Sequence, residues 1–433
     1  MVRQPSTDAA EPRTLNRRRY LAIAGAAGLA GATGLGAARP ADAQQETASP
    51  PGVAARREYE QLRITGTAPS HGGARVFVGR RGTRPAPDDP VRIAAVGPDG
   101  EARLRTDITP DLPDDAHAIP DVVRTENGYA VAAGPWLARL APDLSVLSIG
   151  KEGSIPATQR TTLLPVDGGF VVGFTESLPD AFWTWLVGFD ADGSYAWHHR
   201  HNVNGSQALE FLLPDGDGGA ITGGTFPWLA RVSADGDFEP IDLPEGLPSG
   251  VLQTGIRDGD GLLLCSGDTT ARLDAEFALD WTREYESVAE QQARELQPDG
   301  DGFVVRTTGE DAHDFGLVSI DADGSLRWRQ SYDVDDNRNV DPRTLAAAGD
   351  GTYLVAGGYN EGEAGWTFAL SQSVSPSTPT PTATGTTTPA STDTPTASPT
   401  PAGTTTTSVP GFGVATAFLG LGASLAGLLG RDE

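Results

Sequence analysis

The sequence predicts an all-β ring of seven repeated units, and three observations support it. Gly-led apolar strands begin near Gly73, Gly128, Gly168, Gly219, Gly261, Gly302 and Gly351, a spacing of about 46 residues that suits four-stranded propeller blades and exceeds most solenoid repeats. Asp-Gly turns separate short alternating strands, and no segment sustains a helical period. Finally, the two ends of the array complement one another. The last unit stops at Trp366-Thr367-Phe368-Ala369-Leu370, one strand short, and a matching strand stands unpaired before the first unit.

The clearest unit runs from Gly168-Gly169-Phe170-Val171-Val172-Gly173 to Trp185-Leu186-Val187-Gly188-Phe189, then to the turn Asp190-Ala191-Asp192-Gly193-Ser194 and Trp197. Gly302-Phe303-Val304-Val305, Gly316-Leu317-Val318-Ser319-Ile320, Asp321-Ala322-Asp323-Gly324-Ser325 and Trp328 repeat that order. After the turn, an aromatic pair four residues apart marks the outer strand: Trp281 with Tyr285, and Trp328 with Tyr332. Ala55-Arg56-Arg57-Glu58-Tyr59 matches this strand with only the leading Trp changed. A closing strand of this kind removes the open sheet edge that a linear array would expose. The predicted fold is therefore a seven-bladed β-propeller whose N-terminal strand completes the last blade, followed by a disordered Thr/Pro stalk and a C-terminal hydrophobic helix. Residues 50 to 372 resemble the broad quinoprotein-like and WD40-like propeller group in architecture. Neither a regular Trp-Asp blade ending nor a sialidase box is present, so that resemblance implies a fold and no activity.

The flanks set the expected domain organisation: 1–43 a signal peptide, 44–374 the propeller, 375–409 a linker and 410–433 a sorting tail. Arg17 and Arg18, followed by Tyr20-Leu21 and a Gly-diluted apolar stretch, resemble a twin-arginine export signal, with a small-x-small cleavage site at Ala41-Asp42-Ala43. Residues 371–409 are almost entirely Thr, Ser, Pro, Ala and Gly, a composition that cannot bury apolar area. Pro410-Gly411-Phe412 with the apolar run Gly413 to Gly430 resembles the haloarchaeal PGF-CTERM signal. That resemblance implies a twin-arginine translocase and an archaeosortase as partners in biogenesis, lipidation near Pro410, and a protein anchored to the membrane or S-layer envelope at the cell surface. A retained transmembrane helix is the alternative, since only Arg431 follows the run as a basic residue.

The formal net charge is −26, and lysine is confined to Lys151, a composition resembling that of halophile proteins. Residues 1–43 hold six arginines against three acids, so their removal would leave the remainder three charges more negative. Such a surface disfavours nucleic acid, which needs clustered Lys/Arg. The single Cys265 excludes an intrachain disulfide and reads as a small buried hydrophobe.

Several motifs bear on chemistry. Asp333, Asp335, Asn337, Asn339 and Asp341 alternate like the start of an EF-hand-type calcium loop, but Arg338 stands where the sharp turn needs Gly, and Thr344 replaces the bidentate Glu. His199 and His201 would share a strand face, with His201 in place of a structural aromatic. Trp136, Trp185, Trp228 and Trp366 share one repeat position, either stacking on sugars or packing between blades. Asn204-Gly205-Ser206 is a glycosylation sequon. No catalytic residue set, zinc spacing, nucleophile elbow or cofactor motif is present. The expected function is a binding or interaction module for a surface glycan or protein. The alternatives are an envelope hydrolase working in the central mouth, or a structural component of the envelope.

Overall fold

In a computed structural model, the described residues are 48–373 apart from 72–74, 83–88, 98–100, 110–117, 154, 156–159, 179–180, 203–207, 226, 248–251, 286–291, 309–311, 336–337, 348–350 and 361–363. All of them belong to the unit 45–433. The export residues Arg17, Arg18, Ala41 and Ala43, the stalk, the tail with Pro410, Gly411 and Phe412, and the sequon Asn204 lie outside the described residues.

The first strand, β1 (Gly52–Tyr59), stands apart from the blade that follows it. Blade 1 is β2 (Arg63–Pro69), β3 (Arg75–Arg80), β4 (Val91–Val96) and β5 (Ala102–Ile108), and blade 2 is β6 (Asp121–Thr125), β7 (Gly128–Ala133), β8 (Trp136–Leu140) and β9 (Val146–Lys151). Blade 3 is β10 (Thr161–Val166), β11 (Gly169–Leu178), β12 (Ala181–Asp190) and β13 (Tyr195–His201), and blade 4 is β14 (Leu209–Pro214), β15 (Ala220–Gly224), β16 (Trp228–Val232) and β17 (Phe238–Ile241). Blade 5 is β18 (Thr254–Asp258), β19 (Gly261–Ser266), β20 (Thr269–Leu273) and β21 (Leu279–Glu284). Blade 6 is β22 (Ala293–Asp299), β23 (Gly302–Thr308), β24 (Asp314–Asp321) and β25 (Leu326–Asp333). Blade 7 takes β26 (Val340–Ala347), β27 (Thr352–Tyr359) and β28 (Gly365–Ser371) from the C-terminal side and β1 from the N-terminal side, in the order β1-β28-β27-β26.

The ring is closed. The innermost strands neighbour one another in a complete cycle, β2 to β6, β10, β14, β18, β22, β26 and back to β2. The closing strand runs antiparallel to β28, from Gly52 opposite Ser371 to Tyr59 opposite Gly365, as the aromatic-pair match anticipates. Each blade-to-blade interface carries its own apolar cluster. The blade 7/blade 1 interface is built from Ala346, Leu354 and Ala356 against Leu62, Ile64 and Phe77, with Ala55 and Tyr59 of the closing strand packed on it. Burying one Val- or Leu-sized side chain contributes about 1.5–3 kcal/mol, so each interface is a separate contribution to ring stability.

A second device holds blade to blade. The outer strand of one blade hydrogen-bonds the turn before the outer strand of the next: Thr106 Oγ1 to the Leu144 carbonyl at 3.0 Å, Ser148 Oγ to Asp192 at 2.6 Å, Trp197 Nε1 to Ala234 at 2.8 Å, Tyr285 OH to Gly324 at 2.9 Å and Tyr332 OH to Pro51 at 2.8 Å. The aromatic pair seen in the sequence is thus an inter-blade staple, and Pro51 stands where the other blades have their turn. That turn needs a left-handed residue. Gly193, Gly236 and Gly324 supply it in blades 3, 4 and 6, whereas Leu144 (φ 64°) and Phe277 (φ 63°) occupy it in blades 2 and 5. Leu144 is fully buried, so a side chain packed against its neighbours offsets the conformational cost there.

An arginine-rich cluster where the inner strands begin

Charged side chains from six blades stand around the starts of the inner strands. Arg63 is the first residue of β2, Asp121 the first of β6, Arg160 the residue before β10, Arg294 and Glu295 the second and third of β22, and Asp341 and Arg343 the second and fourth of β26. A parallel bridge between Ile119 and Arg160 aligns the approaches to two of these strands. Arg306, near the end of β23, is paired in register with Glu295, which brings it to the same end. With Glu210, the second residue of β14, five arginines therefore meet four carboxylates, an excess of positive charge in a chain whose net charge is −26.

Asp341, Asp121 and Glu295 are already engaged. Asp341 Oδ2 receives Arg63 Nη2 and, at 2.7 Å, Arg343 Nε. Asp121 accepts the backbone N–H groups of Val122 at 2.8 Å and Leu163 at 3.1 Å, tying blade 2 to blade 3. Glu295 Oε2 accepts Leu345 N–H at 2.7 Å, tying blade 6 to blade 7 in the same way. Burial raises the pKa of both Asp121 and Glu295, against the lowering effect of nearby arginines and of these N–H groups. Carboxylates held by main-chain donors of a neighbouring blade act as structural tethers, and their accepting oxygens are directed away from acid–base work.

The arginines are less completely satisfied. Arg306 is 1% exposed, yet its Nη1 and Nε make no hydrogen bond. Nε stands 3.6 Å from Glu295 Oε2, and Nη2 reaches only the Arg343 carbonyl at 3.3 Å. Burial pushes its pKa down to about 10, with Glu295 opposing. Arg160 stands at the start of blade 3, across the ring from blades 6 and 7, and its charge bears on Asp121 and on Glu295, Arg306 and Arg343. Asp341 and Arg343 keep 23% and 27% of their side-chain surface open to solvent, which makes the cluster accessible.

Of the proposed calcium loop, Asn337 lies outside the described residues. Asp335 pairs with Arg338 at 2.6 Å, Asp341 belongs to the arginine cluster, Asn339 gives its carbonyl to Asn360, and the Asp333 carbonyl takes Arg56. Among the described residues no group of three or more His, Cys, Asp or Glu is placed to hold a metal. The acids of the Asp-Gly turns are likewise occupied: Asp192 and Asp323 accept the N–H groups of Ser194 and Ser325 at 2.8 and 2.9 Å, which lowers the pKa of both carboxyls. His199 and His201 do share a face, and His201 stacks on Phe238 at 3.6 Å, as a substitute for the repeat's aromatic would. Trp136, Trp228 and Trp366 are buried, Trp136 and Trp366 in clusters shared by neighbouring blades and Trp228 against Phe238 of its own blade, so packing is their role. Trp185 is half-buried and donates to Glu176, which also pairs with Arg200 at 2.7 Å. A separate depression of about 380 Å³ lies between the closing strand and blade 1, but its charges are mixed and Arg57 pairs there with Glu101.

No family model matches the chain. None of the curated proteins matches it either. Solved structures do match. The WD40 β-propeller domain of Doa1 is 13% identical with a TM-score of 0.49, over 75% of this chain and 97% of that one. The WD40 domain of Neurospora crassa Pan2 is 8% identical with a TM-score of 0.48, over 71% and 89%. Chaetomium thermophilum Sqt1, described bound to the N-terminus of ribosomal protein L10, is 10% identical with a TM-score of 0.47, over 75% and 100%. The chain folds as a seven-bladed β-propeller. The expected location at the cell surface is not carried forward: these neighbours lend it no support, and a likeness of this kind shows the fold alone.

Proposed function

We propose that this propeller is a non-enzymatic interaction module that docks a partner on the arginine-rich mouth of its central channel. One observation supports this reading above the others: Arg63, Arg160, Arg294, Arg306 and Arg343 converge from four blades on one accessible end of a strongly acidic protein. A positive focus on a negative body steers and orients a ligand there and repels it elsewhere. The hydrolase alternative is disfavoured because the buried carboxylates in the mouth are committed to main-chain N–H groups of the next blade.

The test is a peptide-display selection on the full chain, repeated with Arg160→Gln and Arg343→Gln in the mouth and Arg103→Gln on the outer strand β5. Selected ligands are expected to lose binding to the two mouth variants and to keep it with the rim variant. Ligands that bind all four proteins equally would refute the mouth as the docking site.

A further inference from the structure

We infer that the mouth takes a carboxylate, presented by an acidic side chain or the C-terminus of a peptide partner, between Arg160 and Arg306. The inference rests on the docking reading above and adds the chemistry of the ligand. Within the cluster, Asp341 shows what a filled position looks like: one carboxylate oxygen gripped by Arg63 and Arg343 together. Arg160 and Arg306 again offer two guanidinium groups, and the acids beside them, Asp121 and Glu295, are held by main-chain N–H groups of the next blade. Glu295 is the nearest carboxylate to Arg306, but its Oε2 is bound to Leu345 N–H and stands at 3.6 Å.

Arg306 is the second, independent observation. It is 99% buried, by its 1% exposure, and carries two nitrogens without a hydrogen-bond partner. A buried guanidinium short of acceptors is costly, because it has given up water without full replacement. An incoming oxyanion would supply the missing acceptors through charge-assisted bonds, which are the strong kind. Arg160, just before the inner strand of blade 3, stands across the ring from blades 6 and 7, and its charge bears on Asp121 and on Glu295, Arg306 and Arg343. A carboxylate entering there meets one guanidinium from each side. A planar carboxylate suits the geometry that Asp341 already adopts, and the starts of the inner strands hold one more arginine than acid.

Hexaglutamate, its neutral methyl ester and inorganic phosphate are titrated into the full chain between about 50 and 500 mM salt. Hexaglutamate is expected to bind and the ester not to bind. Arg160→Gln should weaken hexaglutamate by about tenfold or more, the loss of one charge-assisted contact, while Arg103→Gln on the rim leaves it unchanged. No binding of hexaglutamate, equal binding of the ester, or insensitivity to Arg160→Gln would each overturn the inference. Phosphate competing as strongly as hexaglutamate would also overturn it and assign the mouth to a free tetrahedral anion. Should Arg160→Gln fail to fold, the ester comparison on the unaltered chain still decides. If hexaglutamate fails while display-selected neutral peptides still depend on the mouth, only the carboxylate inference falls and the docking reading stands.

Discussion

Deleting residues 44–60 should destabilise the whole ring, and the size of the effect can be worked from what β1 touches. Its ladder with β28 gains about 1 kcal/mol net per hydrogen bond, but ordering the strand costs about 1–2 kcal/mol per residue, so the ladder alone is close to neutral. The remaining terms decide. Tyr332 OH, buried and bonded to the Pro51 carbonyl, would lose its acceptor at about 1–3 kcal/mol. Tyr59 packs on Phe77 at 5.8 Å and on the blade 7/blade 1 cluster, worth about 1.5–3 kcal/mol. Arg56 sits 4.5 Å over Phe368, worth about 0.5–1 kcal/mol. The exposed Arg338–Glu58 pair at 2.9 Å adds under about 1 kcal/mol. Together these come to about 5 kcal/mol, a large part of the 5–15 kcal/mol that holds a typical domain. Thermal unfolding followed by circular dichroism should show Tm falling by about 10 °C or more, and a synthetic peptide spanning residues 48–60 should restore part of it. A truncated protein melting within about 2 °C of the intact one would refute the closure reasoning.

Three further outcomes follow from single residues. A Cβ added at Gly150 would stand 1.9 Å from the Gly193 carbonyl of the next blade, whereas Gly153 has open space; urea unfolding should show Gly150→Ala destabilised by about 1–3 kcal/mol and Gly153→Ala unchanged. His201 has its pKa lowered from 6.5 to about 4 by burial and then by His199. Its neutral form therefore supports folding fully above pH 6.5, and this support is lost as pH falls through about 4. His201→Phe should match the wild type or exceed it at pH 7 and remove about 1 kcal/mol of the acid-side loss, discounted because the ring is only half-buried; identical pH–stability curves for the two proteins would count against it. Cys265 is 1% exposed, with its pKa pushed up to about 12 by burial. A thiol reagent at pH 8 should leave it unmodified until the protein is unfolded, and rapid labelling of the folded chain would contradict its place in the core.

Much of the fold is legible in the sequence because it repeats. The Gly-led strands mark the second strand of every blade, and the Trp281/Tyr285 and Trp328/Tyr332 pairs mark outer strands that staple onto the next turn. The same spacing at Ala55–Tyr59 identifies the closing strand. Blades 2 and 5 are harder to read, since Leu144 and Phe277 occupy turn positions where Gly was the signal. The arginine cluster is barely legible. Its members are single arginines between positions 63 and 343, and only ring closure brings the first blade against the last. One weak signal was present: Arg63, Arg160, Arg294 and Arg343 each stand within four residues of an inner strand's start. The Asp-rich segment near Asp335 and Asp341 misleads in the opposite sense, because oxygen ligands at alternate positions look like a cation site until Arg338, Arg63 and Arg343 are seen to neutralise them.

Hydrogen exchange read by mass spectrometry, on the full chain with and without hexaglutamate, tests most directly whether the mouth is where ligands dock. Added protection is predicted at the inner-strand starts, residues 119–123, 160–163, 293–297 and 340–345, with none in the outer strands β5, β9 and β13. Protection confined to those outer strands, or a bound ligand that leaves the four inner segments unchanged, would contradict it.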